Sequence, residues 1–447
     1  MLKGIWIENF KSYRTGQLLP LAPLTLMIGA NASGKSNAIE AFRFLSWYVG
    51  GEKLSTIQNR INDSEKIFRG DIRDLFFFKS KEFTVGADFS EFFSDLRIEI
   101  TSNELNELNV KDEKLKFLKT DKYLYKIDIY PKAVVRNNAK DNDKALRIQI
   151  SPKIEMNRLS GIFTRFDSNS SNLQRVKNTF QIRIDLEEKV DERIEQRLNE
   201  VRFIEEILSS TYFFDFVPSQ MRNESLEDTR LRQNGQNLSG VLYTLWQHEP
   251  HQQDILKFIK SLPEQDFKTL KFYPDHRDRI ELALVENFAN QEQEWNTDVL
   301  SDGTLRVLGI AAAILSVPEN STLVIEEIDN GIHPSRAKSL LNTMLLFAEK
   351  RNLKLLLTTH NPALMDALPD QALGDVVFAY RDKKQGDSRL IRLSDLEDYE
   401  GLVSQGSLGE LVTKEVVDRF VKNPISSQEK KKRALDWLEQ MRGISHE

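Results

Sequence analysis

The sequence predicts an α/β protein with a parallel-sheet core, a mixed β-sheet lobe and an inserted β-rich and helical segment. Three observations predict it. Leu24-Thr25-Leu26-Met27-Ile28 is an apolar run that opens into a glycine-bearing loop and then a helical pattern from Lys35 through Phe42, Phe44 and Leu45. Leu323-Val324-Ile325 and Leu353-Lys354-Leu355-Leu356-Leu357 are two more such runs, separated by a helical stretch with Leu340, Leu341, Met344 and Phe347. Strand, helix, strand is the unit of a parallel sheet, whose strands are covered on both faces and read as continuous apolar runs. Residues 80–186, by contrast, alternate apolar and polar, as half-buried antiparallel strands do.

In chain order, Gly4–Phe10 reads as a first strand, so residues 1–50 run strand, strand, loop, helix. Phe83–Phe89, Leu96–Ile100, Tyr123–Ile129 and Phe180–Ile184 are the alternating strands, with turns at Asn137–Asp143 and Ser168–Asn172. Leu186–Leu208 carries Val190, Ile194, Leu198, Val201 and Ile204 at three- and four-residue steps, which predicts one helix. Its heptads are not sustained, so a long coiled coil is not expected. Residues 212–380 return to α/β character, and a tail from Ser426 carries Lys430-Lys431-Lys432-Arg433 before a short helical pattern.

At 447 residues the chain exceeds one ordinary core. Hydrophobic residues at 40% and charged residues at 29% exclude a disordered chain. No apolar run approaches the roughly 20 residues that cross a bilayer, and Met1–Trp6 lacks a secretory signal. Cysteine is absent, which excludes disulfides and cysteine-ligated zinc. A cytoplasmic protein without membrane partners is the expectation. The net charge of −6 does not advertise nucleic-acid binding, although a local patch matters more than the sum.

Gly29-Ala30-Asn31-Ala32-Ser33-Gly34-Lys35-Ser36 fits the phosphate-loop pattern in full, with Asn37 continuing into the helix. Glycines let successive N–H groups curl toward phosphate oxygens, and the helix brings its positive end to the same point. Residues 29–37 are therefore the expected ATP contacts; Lys35 would reach the β- and γ-phosphates and the Ser36 hydroxyl would ligate Mg²⁺. Leu323-Val324-Ile325 ends in Glu326-Glu327. The first acid after such a strand is expected to hold Mg²⁺ and the second to polarise the attacking water. Adjacent side chains on a strand point apart, so both face the phosphate only if the backbone leaves the pleat there.

Leu300-Ser301-Asp302-Gly303-Thr304, some twenty residues before the glutamates, resembles the ABC signature Leu-Ser-Gly-Gly-Gln, departing at Asp302 and Thr304. Glu326–Pro334 resembles the Walker B and D-loop of the overcoming-lysogenisation-defect group. Leu357-Thr358-Thr359-His360-Asn361-Pro362 resembles its switch-histidine loop, and Ile7–Tyr13 the first strand of RecF-like and chromosome-structure ATPases. The resemblance covers residues 1–76 and about 212–395. It implies an ABC-type P-loop ATPase head: 1–79 its N-terminal part, 80–211 an inserted β-rich lobe and helix, 212–395 its C-terminal part, and 396–447 a helical tail. It also implies a catalytic set of Lys35, Glu327 and His360, and a homodimer or higher homo-oligomer in which Ser301 and Gly303 of one copy contact the γ-phosphate held by another. Phe68–Phe76 falls where the family's Q-loop lies, without a clear glutamine.

The same group includes stand-alone ATPases of anti-phage systems of the Septu and PARIS types, in which a separately encoded nuclease or toxin is the effector. That role is the first expectation here. A RecF-like repair or chromosome clamp is the alternative, and a transporter ATPase subunit a third. No Asp-x-Asp cluster follows the ATPase region, and the residues after Leu396 are too few for a Toprim nuclease. Nucleic acid is a candidate ligand through Lys111–Lys122 or Lys430–Arg433. His248 and His251 have a metal-like spacing, but Glu249-Pro250 between them predicts an exposed turn.

Overall fold

The computed structural model describes residues 1–57, 67–91, 93–104, 106–117, 123–130, 145–150, 192–260, 266–288 and 291–422. The expected strand Phe180–Ile184, the turns Asn137–Asp143 and Ser168–Asn172, the start of the helix at Leu186, the end of Lys111–Lys122 and the run Lys430–Arg433 lie outside them.

The chain opens with β1 (Leu2–Glu8), β2 (Gln17–Pro20) and β3 (Leu24–Ile28), then α1 (Lys35–Val49). Next come β4 (Glu82–Phe89), β5 (Phe93–Ser102), β6 (Leu108–Phe117), β7 (Tyr123–Tyr130) and β8 (Ala145–Ile150), followed by α2 (Glu192–Ser209) and β9 (Thr211–Phe214). The alternating strands extend the sheet that β1 and β2 begin, in the order β2-β1-β4-β5-β6-β7-β8, with every pairing antiparallel.

A ribbon that sequence periodicity missed follows. Strands β10 (Ser225–Leu226), β11 (Phe267–Pro274), β12 (Arg279–Phe288) and β13 (Gln291–Asn296) form a separate antiparallel sheet around β12. Its signal is local: Asp275 Oδ1 accepts from the N–H groups of Arg277 and Arg279 at 2.7 and 2.8 Å, closing the turn between β11 and β12. Helices α3 (Leu238–Trp246) and α4 (Glu249–Lys260) pack beside it. His248 and His251 were expected in an exposed turn. Instead Glu249-Pro250 opens α4, because proline costs nothing in a first turn whose N–H groups have no helical partner. The two rings lie 6.1 Å apart, and among the described residues no three metal-ligating side chains converge.

Helix α5 (Asp302–Ser316), β14 (Thr322–Ile325), α6 (Pro334–Lys350), β15 (Lys354–Thr358), β16 (Val377–Arg381) and β17 (Ser388–Arg392) complete the second half. The core sheet runs β17-β16-β3-β15-β14-β9, parallel throughout except for the edge strand β17. Its strands alternate between two hydrophobic cores. Leu24, Leu26, Ile28, Leu323, Ile325, Leu355 and Leu357 face the α5 and α6 side. Met27, Val324, Leu356 and Val377 face α1 and the seven-stranded sheet. Burial on both faces explains why these strands read as unbroken apolar runs. At about 25 cal/mol per Å² of apolar surface, neither face tolerates a polar side chain cheaply. Among the described residues no helix is long and apolar enough to cross a membrane.

Candidate functional site

Parallel pairing puts the C-terminal ends of β3, β15, β14 and β9 on one edge of the core sheet. The loop after β3 begins with Gly29 at φ 141° and reaches α1 through Ala32 at φ 62° and Gly34 at φ 112°. A Cβ on Gly29 would stand 2.1 Å from the Ala379 carbonyl oxygen, and one on Gly34 2.4 Å from Ser388 Oγ. Both positions thus need glycine for conformation and for space. Gly34 is also the N-cap of α1 and supplies no side-chain cap, and no acidic residue occupies the first turn. The first N–H groups of α1 are left for another acceptor, with the helix dipole behind them.

Neighbouring segments clasp this loop. Tyr13 donates to the Gly34 carbonyl at 3.1 Å, and Arg381 donates to that of Ala32 at 3.0 Å. Ser388 donates to Ser12 Oγ at 2.8 Å, as does the Asn37 amide. The Asn37 side chain is therefore engaged with Ser12. Lys35 Nζ donates to the carbonyls of Gly29 and Ala30 at 2.6 and 3.1 Å, spanning the mouth of the loop. Burial lowers the Lys35 ammonium below its ordinary range, against the pull of Glu327 and Asp329. Ser33 is buried, and its Oγ has no hydrogen-bond partner among the described residues.

At the end of β14 the backbone does leave the pleat: Glu327 has φ 47°, in the left-handed region. Its N–H donates to Thr358 Oγ1 at 2.9 Å, and its carboxylate accepts from Asn330 at 2.6 Å. Non-glycine residues held at positive φ store strain of about 1–3 kcal/mol each, which the surrounding structure must hold. Glu326 turns toward α1, 3.4 Å from Arg43 Nη2. Burial raises the Glu326 carboxyl above the usual range, Arg43 opposes that and Asp215 adds to it.

Asp215 is the residue that sequence reading missed. It follows β9, whose Phe214 carbonyl accepts from the Glu326 N–H at 3.0 Å, so it reaches the same edge. Burial and then Glu327 raise its carboxyl, while Arg306 and Arg43 lower it. Tyr212-Phe213-Phe214-Asp215, an apolar run closed by an acid, carried the same signal as Leu323–Glu326. His360, after β15, presents Nδ1 3.9 Å from Asp329 Oδ2 and is largely exposed. Asp329 is buried, and its Oδ1 finds no partner among the described residues.

The structure thus gathers residues 29–37, Glu326, Glu327 and His360 at one edge. Ser301 and Gly303 belong to an adjoining element. Ser301 caps α5, its Oγ accepting from the Thr304 N–H at 3.1 Å. Gly303 packs so closely on the turn after Asp329 that a Cβ there would meet the Gly331 carbonyl at 2.2 Å. Asp302, a departure from the resembled motif, is held by Arg222 at 2.5 Å, and the same guanidinium ties down the carbonyls of Thr297, Asp298 and Leu300. Ser301 itself is exposed. In the segment expected to carry a Q-loop, Arg69 pairs with Glu40 at 2.6 Å, and Lys111, the start of a candidate nucleic-acid patch, pairs with Glu82 and Glu99 at 2.5 and 2.8 Å.

These residues fit a nucleotide with Mg²⁺ better than a metal alone. Since no three metal-ligating side chains converge among the described residues, a cation here would take one hydroxyl, one carboxylate and otherwise phosphate and water oxygens, as Mg²⁺ does.

This chain is similar to several known proteins. The family described as "AAA domain, putative AbiEii toxin, Type IV TA system" matches residues 24–366. An ATP/GTP phosphatase of Helicobacter pylori is 21% identical over 416 residues, covering 88% of this chain and 94% of that protein. Structural maintenance of chromosomes protein 1 of Schizosaccharomyces pombe is 36% identical over 104 residues, 23% of this chain and only 8% of that protein. Among solved structures, an Smc head bound to the C-winged helix domain of ScpA covers 87% of this chain and 96% of its own at 11% identity and a TM-score of 0.47. The SMC head domain from Thermotoga maritima covers 88% and 98% at 15% identity and a TM-score of 0.39.

Proposed function

The chain belongs to the AAA-domain ATPase family, and from that premise we propose that it hydrolyses ATP to ADP and phosphate at sites completed by a second copy of itself. One observation carries the reading: an uncapped α1 N-terminus and Lys35 sit on the same sheet edge as two buried-strand acids, one of them in strained backbone. The N–H groups of residues 29–37 and the Lys35 ammonium would hold the triphosphate. Ser36 and Glu326 would hold Mg²⁺, which neutralises charge on the β- and γ-phosphate oxygens. Glu327, freed from the pleat, orients water for attack on the γ-phosphorus, and His360 donates to a γ-phosphate oxygen from a side chain steadied by Asp329.

Ser301 stands exposed at a second helix tip, with Gly303 buried behind it against Gly331, and the tip suits the γ-phosphate of a partner copy. ATP then joins two copies, and hydrolysis releases them, because the interface depends on a group that the reaction removes. Size-exclusion analysis with light scattering, run with and without ATP on wild type and Glu327→Gln, tests this. An ATP-dependent dimer that persists in Glu327→Gln supports it; a monomer under every nucleotide condition refutes it.

The reaction is read as a switch for a separately encoded effector, a nuclease or toxin, in anti-phage defence of the Septu or PARIS kind. The family description, with its toxin system, supports that direction. Co-purification with proteins encoded beside it tests the effector reading. The 104-residue similarity to a chromosome-maintenance protein favours a second reading, a DNA clamp, for which turnover stimulated by DNA without any partner is the test.

A further inference from the structure

Behind the acid edge, between α1 and β9, lies a cavity of about 500 Å³, within the size range of small-ligand sites. None of the residues assigned above to ATP lines it. Its walls combine guanidinium groups with aromatic faces: Arg43, Trp47, Tyr212, Phe213, Arg230 and Arg232. Arg230 lies over the Tyr212 ring at 5.1 Å, and Arg43 over the Phe213 ring at 4.8 Å. One carboxylate, that of Asp228, also lines the cavity, but both its oxygens accept from the protein, from Asn237 Nδ2 at 2.8 Å and the Arg230 N–H at 3.3 Å. The remaining charge on the wall is cationic. Two wall residues, Trp47 and Thr211, each hold a buried polar atom without a hydrogen-bond partner among the described residues, so bonding capacity there is unspent.

Cations that sit on aromatic faces suit a ligand with a flat π-system and an anionic group. We propose that this cavity binds one nucleotide unit, its base on the Tyr212 and Phe213 side and its phosphate on Arg230 and Arg232, as a second site distinct from the ATP site. Arg43 spans the two, since it lines the cavity and contacts Glu326 at 3.4 Å. Occupancy of the cavity therefore bears on the metal carboxylate; this coupling rests on the role proposed above for Glu326, whereas binding itself does not.

The test uses the full chain carrying Lys35→Ala, so that the ATP site is silent. Calorimetric titration with AMP, GMP, CMP, UMP, inorganic phosphate and a short single-stranded oligonucleotide should reveal one site per chain for a mononucleotide or for the oligonucleotide, which distinguishes a free nucleotide from a strand as the source. Tyr212→Ala and Arg230→Ala, both at exposed or half-buried positions, should each weaken it about tenfold, in line with the loss of one stacked base. Absence of binding by every probe overturns the proposal. So does binding that both variants leave unchanged, or phosphate alone binding as tightly as a mononucleotide. Because Lys35→Ala weakens the ATP site and the probes are not ATP, failure of the ATPase reading would leave this result intact.

Discussion

Two helix tips carry the candidate phosphate contacts, and they are finished differently. α1 begins at Gly34 with no side-chain cap and no acid in its first turn. α5 begins at Ser301, which caps its own helix through the Thr304 N–H, and carries Asp302 held by Arg222. An N-cap hydrogen bond is worth about 1 kcal/mol, so α1 forgoes stability that α5 keeps. The difference teaches which tip is built to take charge by itself. α1 holds open donors and a lysine, whereas α5 has the Thr304 N–H capped and offers one exposed hydroxyl. That hydroxyl can donate outward when the Thr304 hydroxyl is the donor in their 2.8 Å contact, because a serine oxygen both donates and accepts. On the function proposed above, a tip of this kind would serve as a second wall and not as a primary cradle.

Experiments can break or sharpen that contrast. The largest effect is expected from Glu327→Gln, which should cut phosphate release a hundredfold or more, on the order of the loss of a general base, while ATP still binds. Next, Lys35→Ala removes the charge at the open tip and should weaken Mg²⁺·ATP binding by roughly two orders of magnitude, as loss of a charged donor in a partly buried site does; fluorescent-nucleotide titration reads it. Ser301→Ala should spare that affinity in the monomer but weaken ATP-dependent dimerisation about tenfold, with loss of the cap costing roughly 1 kcal/mol of stability. Sedimentation and denaturant melts separate the two. Equal damage to monomer binding by Lys35→Ala and Ser301→Ala would erase the distinction.

The smallest effect concerns Glu326. Burial raises its carboxyl above the usual range, so the folded state keeps a proton that the unfolded chain has already lost, and stability falls as pH rises through that interval. Glu326→Gln should therefore raise the melting temperature by roughly a few degrees at neutral pH without metal, and the gain should fade below the ordinary glutamate range. A gain of equal size at acid pH would contradict the sign.

The parts of the site legible in sequence were those whose meaning is local. Residues 29–36 carry their glycines, lysine and hydroxyl within one loop, and Glu326-Glu327 and His360 each close an apolar run. Asp215 was not legible as a member, although its run was visible, because its place depends on β9 pairing with β14 far along the chain. Within the β10–β13 sheet, β10 has two residues and β13 is polar, so only pairing with β12 identifies them, whereas β11 and β12, with Leu270, Ile280, Leu282 and Leu284 buried, carried a local signal.

Sequence alone therefore determined the apolar strands, the glycine-bearing loop after β3 and the acids that end those strands, since each is a pattern over neighbouring residues and periodicity reports burial directly. Tertiary structure decided the rest. Pairing between distant segments joined β1 and β2 to the β4–β8 sheet, brought Asp215 beside Glu326, and set Gly303 against Gly331. Such contacts depend on which edges meet in space, and no local run of residues encodes them.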